Sequence, residues 1–142
     1  MSRSKILIIT LAGVCYLLVC WAAVAAERSE EDAIEAAEMW LALVDDGKYS
    51  ESWETASVLF RSAVTKEQWK RALNAFRKPL GRCTGRKLTW KKCATSLPGA
   101  PDGEYVVIRF EGSFENKKAA VETVTPMVEE DGIWRVSGYY IR

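Results

Sequence analysis

The spacing of the hydrophobic residues changes near Gly85. Before this residue, apolar side chains recur every three or four positions, and after it they alternate with polar ones. Helices therefore come first and strands follow, which is typical of an α+β domain whose helices cover one face of an antiparallel sheet. We predict about three helices packed on a curved, four-stranded meander.

The first helical stretch is predicted to cover residues 29–46. Ser29 and Asp32 form a capping box at its start, and the sequence Asp45-Asp46-Gly47 stops it. The apolar residues at helical spacing, which we expect to be buried, are Ala33, Ala37, Trp40, Leu41 and Val44.

Two more helices are predicted before the strands. A short one starts at Ser50 and buries Tyr49, Trp53 and Ala56, with Phe60 in the connection that follows. In the third, Thr65 is the N-cap and Gln68 completes a capping box, and Pro79 and Gly81 end the helix. Its predicted apolar face consists of Trp69, Ala72, Leu73, Phe76 and Leu80, and its other faces carry Lys66, Lys70, Arg71, Arg77 and Lys78.

Four strands are predicted in residues 86–96, 104–114, 119–130 and 133–142. Leu88, Trp90 and Ala94 are expected on one side of the first strand. In the second, Val106, Ile108, Phe110 and Phe114 face one way, and Tyr105, Val107, Arg109 and Glu111 the other. Residues 115–117 and the pair Asp131-Gly132 provide the last two turns. Pro126 cannot donate a ladder hydrogen bond, so we place it at an edge or a bulge.

Residues 1–26 have the features of a secretory signal peptide: a basic head, an uncharged apolar stretch, and the sequence AAVAAE. Cleavage is expected after Ala25 or Ala26. The alternative is an uncleaved anchor, since residues 6–26 are uncharged and long enough to cross a bilayer. Removal of this segment leaves about 116 residues, the size of one compact domain. The expected location is periplasmic or secreted, or the inner membrane if the segment is retained.

Charge is segregated along the chain. Residues 27–60 contain ten acidic and two basic residues, whereas residues 61–92 contain eleven basic residues and one acidic residue. One explanation is that an acidic first helix packs beside a basic third helix. The other is that Lys70, Arg71, Arg77, Lys78 and Arg82 form a basic surface in weak contact with anionic membrane lipids. The near-neutral total charge excludes the overall footprint of a nucleic-acid-binding protein.

Several chemistries are excluded by missing residues. The chain has no histidine, which removes Ser-His-Asp and Cys-His catalysis and imidazole-ligated metal sites. No phosphate-binding glycine loop is present, and we expect no cofactor. An exported pair of cysteines, Cys83 and Cys93, suggests a disulfide. An extended strand over residues 86–96 would instead carry Cys93 away from Cys83, and the two alternatives remain open.

A polar cluster on the sheet is the candidate site. Arg109, Glu122 and Tyr139 lie near strand centres, and together with Tyr105 they could line a cavity beneath the helices and orient a small polar ligand. The alternative is a structural cross-strand ion pair with a tyrosine hydroxyl at the sheet surface. The strand register decides between them.

The stretches WLALVDDGKYSESWETAS, FRSAVTKEQW, SLPGAPDGEYVVIRF, VETVTP and WRVSGYYI together resemble the bacterial family catalogued as domain of unknown function 4019. The order of elements also resembles a small, cone-shaped member of the nuclear-transport-factor-2-like group. The family carries no established activity, so the resemblance implies no catalytic residues. The loop between the first two strands belongs to these motifs: Pro98 and Pro101 stiffen it, Asp102 starts a tight turn, and contact with a partner at the rim is a further hypothesis.

Three functions remain after these exclusions. The first is a non-enzymatic envelope module that binds an unknown envelope protein or small ligand. The second is a small-molecule-binding or enzymatic cone that uses a buried carboxylate such as Glu122. The third is a structural accessory domain without a small-molecule site. Because no catalytic constellation is recognisable, we favour the first.

Overall fold

The structure of the protein, a computed structural model, describes residue 27 and residues 29–142. Residues 32–142 form one compact unit. The predicted signal peptide or anchor, residues 1–26, lies outside the described residues. Among the helices of the described part, none is both long and apolar enough to span a bilayer.

Helices occupy the first part of the described chain. α1 covers residues 29–45, α2 covers Tyr49–Glu54, α3 covers Val58–Ala63 and α4 covers Lys66–Phe76, with a 3₁₀ turn at Lys78–Leu80. Glu27 and Ser29 are already helical, so the prediction of Ser29 as N-cap was wrong. The buried positions predicted for α1 are confirmed.

The placement of Phe60 in a connection was also wrong, because Ser57 starts a separate helix. The Ser57 Oγ accepts a hydrogen bond from the Phe60 N–H at 3.1 Å, and Phe60 lies buried within α3. This cap satisfies one of the backbone donors that every helix start leaves open. The predicted second helix is therefore two short helices, α2 and α3.

The start of α4 is as predicted, and its apolar face is only partly so. The Thr65 and Gln68 capping box is present in full. Trp69 and Leu73 are buried, but Phe76 is 72% exposed and Arg77 is buried. Residues four apart lie on one side of a helix, so the stripe that faces the sheet passes through residues 69, 73 and 77. The predictions of an inward Phe76 and an outward Arg77 were wrong.

The sheet is a four-stranded antiparallel meander in the order β1-β2-β3-β4, as predicted. The strands are β1, Cys83–Ala94; β2, Tyr105–Phe114; β3, Lys117–Val128; and β4, Trp134–Ile141. Pro126 lies in an inner strand, at a register shift between β3 and β4. The prediction that this proline occupies an edge or a bulge is confirmed as a bulge.

A bulge in β1 reverses the side chains that follow it. Leu88 pairs with Phe110, but Trp90 pairs with Arg109, so one extra residue, Thr89, stands between the two pairs. Leu88 therefore packs against the core while Trp90 points to the opposite face, where it is 40% exposed. The prediction that Leu88 and Trp90 share one face was wrong for this reason.

The core lies between the helices and one face of the sheet. Its centre is a group of four aromatic rings, Trp40, Phe60, Trp69 and Tyr139, whose neighbouring centroids are 5.0 to 6.3 Å apart. The indole N–H groups of Trp40 and Trp69 donate to the backbone oxygen and hydroxyl of Ser52. The aromatic rings fill the space beneath the helices with satisfied side chains.

Candidate functional site

A buried ionic network connects α1, α4 and the sheet. The Arg86 guanidinium donates from Nε to Glu122 at 2.7 Å and from both terminal nitrogens to Asp45 at 2.7 and 3.0 Å. Arg77 donates to Asp45 at 2.8 Å, and the Tyr139 hydroxyl donates to Glu122 at 2.8 Å. Two arginines thus face two carboxylates, and the network is neutral overall.

A glycine makes room for this network. Arg86 lies opposite Gly112 in the β1–β2 ladder. A Cβ atom on Gly112 would stand 2.9 Å from the Phe114 ring and 3.4 Å from the Glu122 carboxylate. The missing side chain therefore leaves the space in which the Arg86 and Glu122 side chains meet.

The network favours the ionised forms of Asp45 and Arg86. Burial opposes ionisation of Asp45, but hydrogen bonds and positive charge from Arg86 and Arg77 outweigh it and hold the pKa of Asp45 below its ordinary value. Burial also opposes the charge on Arg86, and the hydrogen bonds to Asp45 and Glu122 reverse this and raise the Arg86 pKa. Burial first, and then the Glu122 charge and hydrogen bond, raise the pKa of Tyr139, so its hydroxyl stays protonated.

The predicted polar cluster is only half assembled. Glu122 and Tyr139 meet as described, whereas Arg109 points from the opposite face of the sheet, with its guanidinium 4.6 Å from the Trp90 ring centroid. Tyr105 is buried and donates its hydroxyl to the Pro101 oxygen at 2.6 Å. The grouping of Arg109 and Tyr105 with Glu122 was therefore wrong, because alternation sends odd-numbered residues of β2 away from the core.

Sequence reasoning missed three members of the network, Asp45, Arg77 and Arg86. Arg77 lies four residues after the buried Leu73, and Asp45 lies four residues after the buried Leu41. Arg86 precedes Leu88 by two residues and shares its side of β1. The sequence feature that could have identified them is a charged residue at the next position of a stripe of buried apolar residues, a pattern that indicates a buried ion pair.

The two cysteines lie at opposite ends of β1. Cys83 pairs with Phe114 and Cys93 with Val106. Ten residues of extended strand place their Cα atoms about 30 Å apart, whereas a disulfide requires less than about 7 Å. The structure has no bond between them, so the strand geometry selects the second of the two alternatives, separation along β1.

The loop before β2 is a closed turn. The Gly103 N–H donates to the Thr95 oxygen at 3.0 Å, and the Tyr105 hydroxyl anchors Pro101 from below. Pro98, Pro101 and Asp102 are exposed, and Asp102 lines a surface groove of about 560 Å³ near the end of the sheet. The rim contact with a partner stays a prediction.

The charge segregation has a structural counterpart. Asp45 of the acidic segment binds Arg77 and Arg86 of the basic segment, and Glu54 pairs with Lys66. Of these pairs, Asp45–Arg77 joins the end of the acidic first helix to the end of the basic helix α4, so the predicted complementarity of these two helices is found at that one place in the described residues. The proposed membrane patch loses Arg77, which is buried; contact of its exposed members Lys70, Arg71, Lys78 and Arg82 with anionic lipid stays a prediction.

A polar groove of about 630 Å³ lies above the network, between the end of α1 and α4. One wall carries Asp45, Asp46, Tyr49 and Ser50, and the other carries Lys70, Asn74, Arg77 and Lys78; Arg82 and Glu115 bind each other at one end. The Nε of Arg77 is buried and has no hydrogen-bond acceptor among the described residues. We refer to this feature as the polar groove.

The face of the sheet turned away from the helices forms a second candidate surface, the outer face. Its central row crosses all four strands through Trp90, Arg109, Thr123 and Tyr140, which are paired in register. Tyr140 is 62% exposed. Lys87 and Lys92 lie in the adjoining rows, beside Glu111 and Val107 respectively.

Comparison with known proteins places the chain in a family without assigning an activity. Residues 36–139 match the model of a family described as "Protein of unknown function (DUF4019)". A solved 2.5 Å structure from Catenulispora acidiphila is similar in fold, with a TM-score of 0.55 and 13% identity over 86% of this chain and 94% of that chain. No curated protein matches the chain. Because the match spans most of the sequence, the protein belongs to the DUF4019 family.

Proposed function

We propose that this protein is a non-enzymatic interaction module of the bacterial envelope that binds an acidic segment of a partner protein on its outer face. The observation that carries the proposal is the exposed row of Trp90, Arg109 and Tyr140 on a sheet face that no helix of the described chain covers. Tryptophan, tyrosine and arginine are the residues that contribute most often to binding energy at protein interfaces.

The charge of the outer face favours an acidic partner. Lys87, Lys92 and Arg109 form no salt bridge with any carboxylate in the part of the chain that the structure describes. Arg109 instead stacks on Trp90, which holds the guanidinium in place while leaving its charge unpaired. A second copy placed face to face would bring like charges together, which disfavours a symmetric dimer.

The size of the outer face favours a segment over a globular domain. Four strands about 4.8 Å apart and some seven residues long give roughly 400 Å². A stable protein–protein interface buries about 800 Å² on each partner. An extended or helical segment with several carboxylates matches the smaller area.

The interior of the domain supports binding over catalysis. Glu122 is 0% exposed, and its two oxygens accept from Arg86 and Tyr139. A general base must reach the proton that it removes, and this carboxylate is enclosed by its partners. The filled interior also favours a second candidate function, a structural accessory domain without a small-molecule site.

The envelope location rests on the signal-peptide features of residues 1–26. Fractionation of cells that express the 142-residue chain with a C-terminal tag tests it. Recovery of a shortened chain from the periplasm or medium supports export, and recovery from the cytoplasm at full length contradicts it.

Site-specific photocrosslinking tests the binding surface. A photoreactive phenylalanine analogue at Tyr140 should give an adduct with a partner, whereas the same analogue at Phe76, exposed on the helical side, should not. When Arg109→Glu is added to the chain with the analogue at position 140, the adduct should disappear. When Arg61→Glu, which reverses an exposed charge on α3, is added instead, the adduct should persist.

Three results would overturn the proposal. Equal adducts from positions 140 and 76 would show non-specific contact, and an adduct of twice the chain mass would identify a second copy. Absence of any adduct at position 140 in envelope-competent cells would favour the accessory-domain function. Mass spectrometry of the adduct checks that the crosslinked segment is acidic.

A further inference from the structure

We propose that the polar groove binds a small zwitterion, with its ammonium group toward the α1 wall and its anionic group toward the α4 wall. The two walls carry opposite charges. Asp46 lies on the first wall beside Tyr49, and Lys70 and Lys78 lie on the second. The groove is separate from the outer face, so this proposal goes beyond the function proposed above.

The basic wall holds charge that the protein itself does not neutralise. Lys70, Asn74 and Lys78 follow one another at intervals of four residues and so line the same side of α4 and the turn after it. Neither lysine forms a salt bridge within residues 29–142. Two ammonium groups therefore face the groove as donors for a carboxylate or phosphate, while the Asn74 amide nitrogen already donates to the Lys70 oxygen at 2.8 Å.

The acidic wall has one carboxylate, that of Asp46, without a strong partner in the described residues. Asp45 is fully occupied, because it accepts from both Arg77 and Arg86. Asp46 contacts Lys48 at 3.7 Å, and both side chains are more than half exposed, so this pair contributes little. Asp46 is thus the acceptor for a ligand ammonium, and Tyr49 and Ser50 lie on the same wall.

Arg77 gives the groove a fixed positive floor. Its terminal nitrogens donate to Gly81 and Asp45, and its Nε–H is buried below the surface that a ligand in the groove would contact. Arg77 therefore adds positive charge beside the α4 wall without itself offering a free donor to a ligand. The groove volume, about 630 Å³, lies within the range of small-molecule sites.

A series of ω-amino acids tests the proposal and measures the distance between the place that binds the ammonium group and the place that binds the carboxylate. The probes are glycine, β-alanine, 4-aminobutyrate and 6-aminohexanoate, with acetate and ethylammonium chloride as single-charge controls at matched ionic strength. Thermal unfolding of the 142-residue chain is the measurement. A probe at ten times its Kd should raise Tm by roughly 5 °C, with one chain length giving the largest shift.

Matched variants locate the effect. Asp46→Asn and Lys78→Gln should each abolish most of the shift, and Arg61→Gln and Glu67→Gln, which change exposed charges elsewhere, should retain it. The proposal is overturned if no probe raises Tm, if acetate alone gives the same shift as the best zwitterion, or if the shift survives in both groove variants. Isotopic labelling of backbone amides provides a second measurement, since binding should move the resonances of residues 45–50 and 70–78.

Discussion

Replacement of Glu122 by glutamine tests whether the buried network is structural. The carboxylate is fully buried and accepts two hydrogen bonds, from Arg86 Nε at 2.7 Å and from the Tyr139 hydroxyl at 2.8 Å. Glutamine keeps the shape but offers only one acceptor oxygen; when that oxygen faces Arg86, the NH₂ group faces the Tyr139 hydroxyl, which must turn its hydrogen away and accept instead.

The expected cost follows from this geometry. A hydrogen bond to a charged group contributes about 1.5 to 3 kcal/mol, and breaking a buried ion pair from one side costs about 3 to 5 kcal/mol. Arg86 keeps Asp45 as a partner, which places the expected loss for Glu122→Gln near the lower limit, at about 3 kcal/mol. For a domain of this size, Tm should fall by roughly 12 °C.

Urea unfolding followed by tryptophan fluorescence is a suitable assay, because Trp40 and Trp69 contact Tyr139. Glu111→Gln, an exposed change on β2, is the matched control and should stay within about 0.5 kcal/mol of the parent. The single variants Arg86→Met and Glu122→Leu and the double variant that combines them form a separate cycle, in which the double variant should lose less than the sum of the two single changes.

A loss below about 1 kcal/mol for Glu122→Gln would refute the structural interpretation. A gain in stability would be more informative still. It would mean that the protein keeps a costly carboxylate in its core, which is the behaviour of a functional residue. The enzymatic alternative would then regain support.

The other predictions concern pH, packing and the cysteines. The folded pKa of Asp45 is depressed, so its contribution to stability is present above the unfolded pKa, near 3.8, and is lost as the pH falls through the folded value. In Asp45→Asn the free energy of unfolding should therefore fall less steeply at acid pH than in the parent. Gly112→Ala should cost about 1 to 3 kcal/mol through overpacking, while Gly85→Ala, where the added Cβ meets nothing within 4 Å, provides the matched control in the same urea assay. Separate Cys83→Ser and Cys93→Ser variants should unfold at nearly the parent urea concentration; a loss of about 2 to 4 kcal/mol in both would indicate a disulfide and contradict the strand geometry.

The sequence predicted the order of elements because the hydrophobic period is a local property. The change from helical to alternating spacing near Gly85, the capping box at Thr65 and the bulge at Pro126 each depend on a few neighbouring residues. The meander followed from short turns between strands. These features were confirmed without knowledge of tertiary contacts.

The site was harder to predict because it depends on register and on long-range pairing. Glu122 was identified as a candidate, but its partner Arg86, and Asp45, the second carboxylate that Arg86 binds, lie 36 and 77 positions away along the chain. Their charge suggested an exposed location, and only the tertiary contacts show that each neutralises another inside the domain. Charged residues that continue an apolar stripe were the available signal, and propensity alone does not distinguish them from surface residues.

The extra residue in β1 marks the position at which the length of this strand can change. Thr89 has no Cα partner of its own in β2, because Leu88 pairs with Phe110 and Trp90 pairs with the next residue, Arg109. Deletion of Thr89 would therefore remove the bulge and leave Trp90 on the outer face, whereas deletion of a residue beyond Trp90 would turn the residues after it to the opposite face. Variation in the length of β1 should accordingly be confined to the bulge.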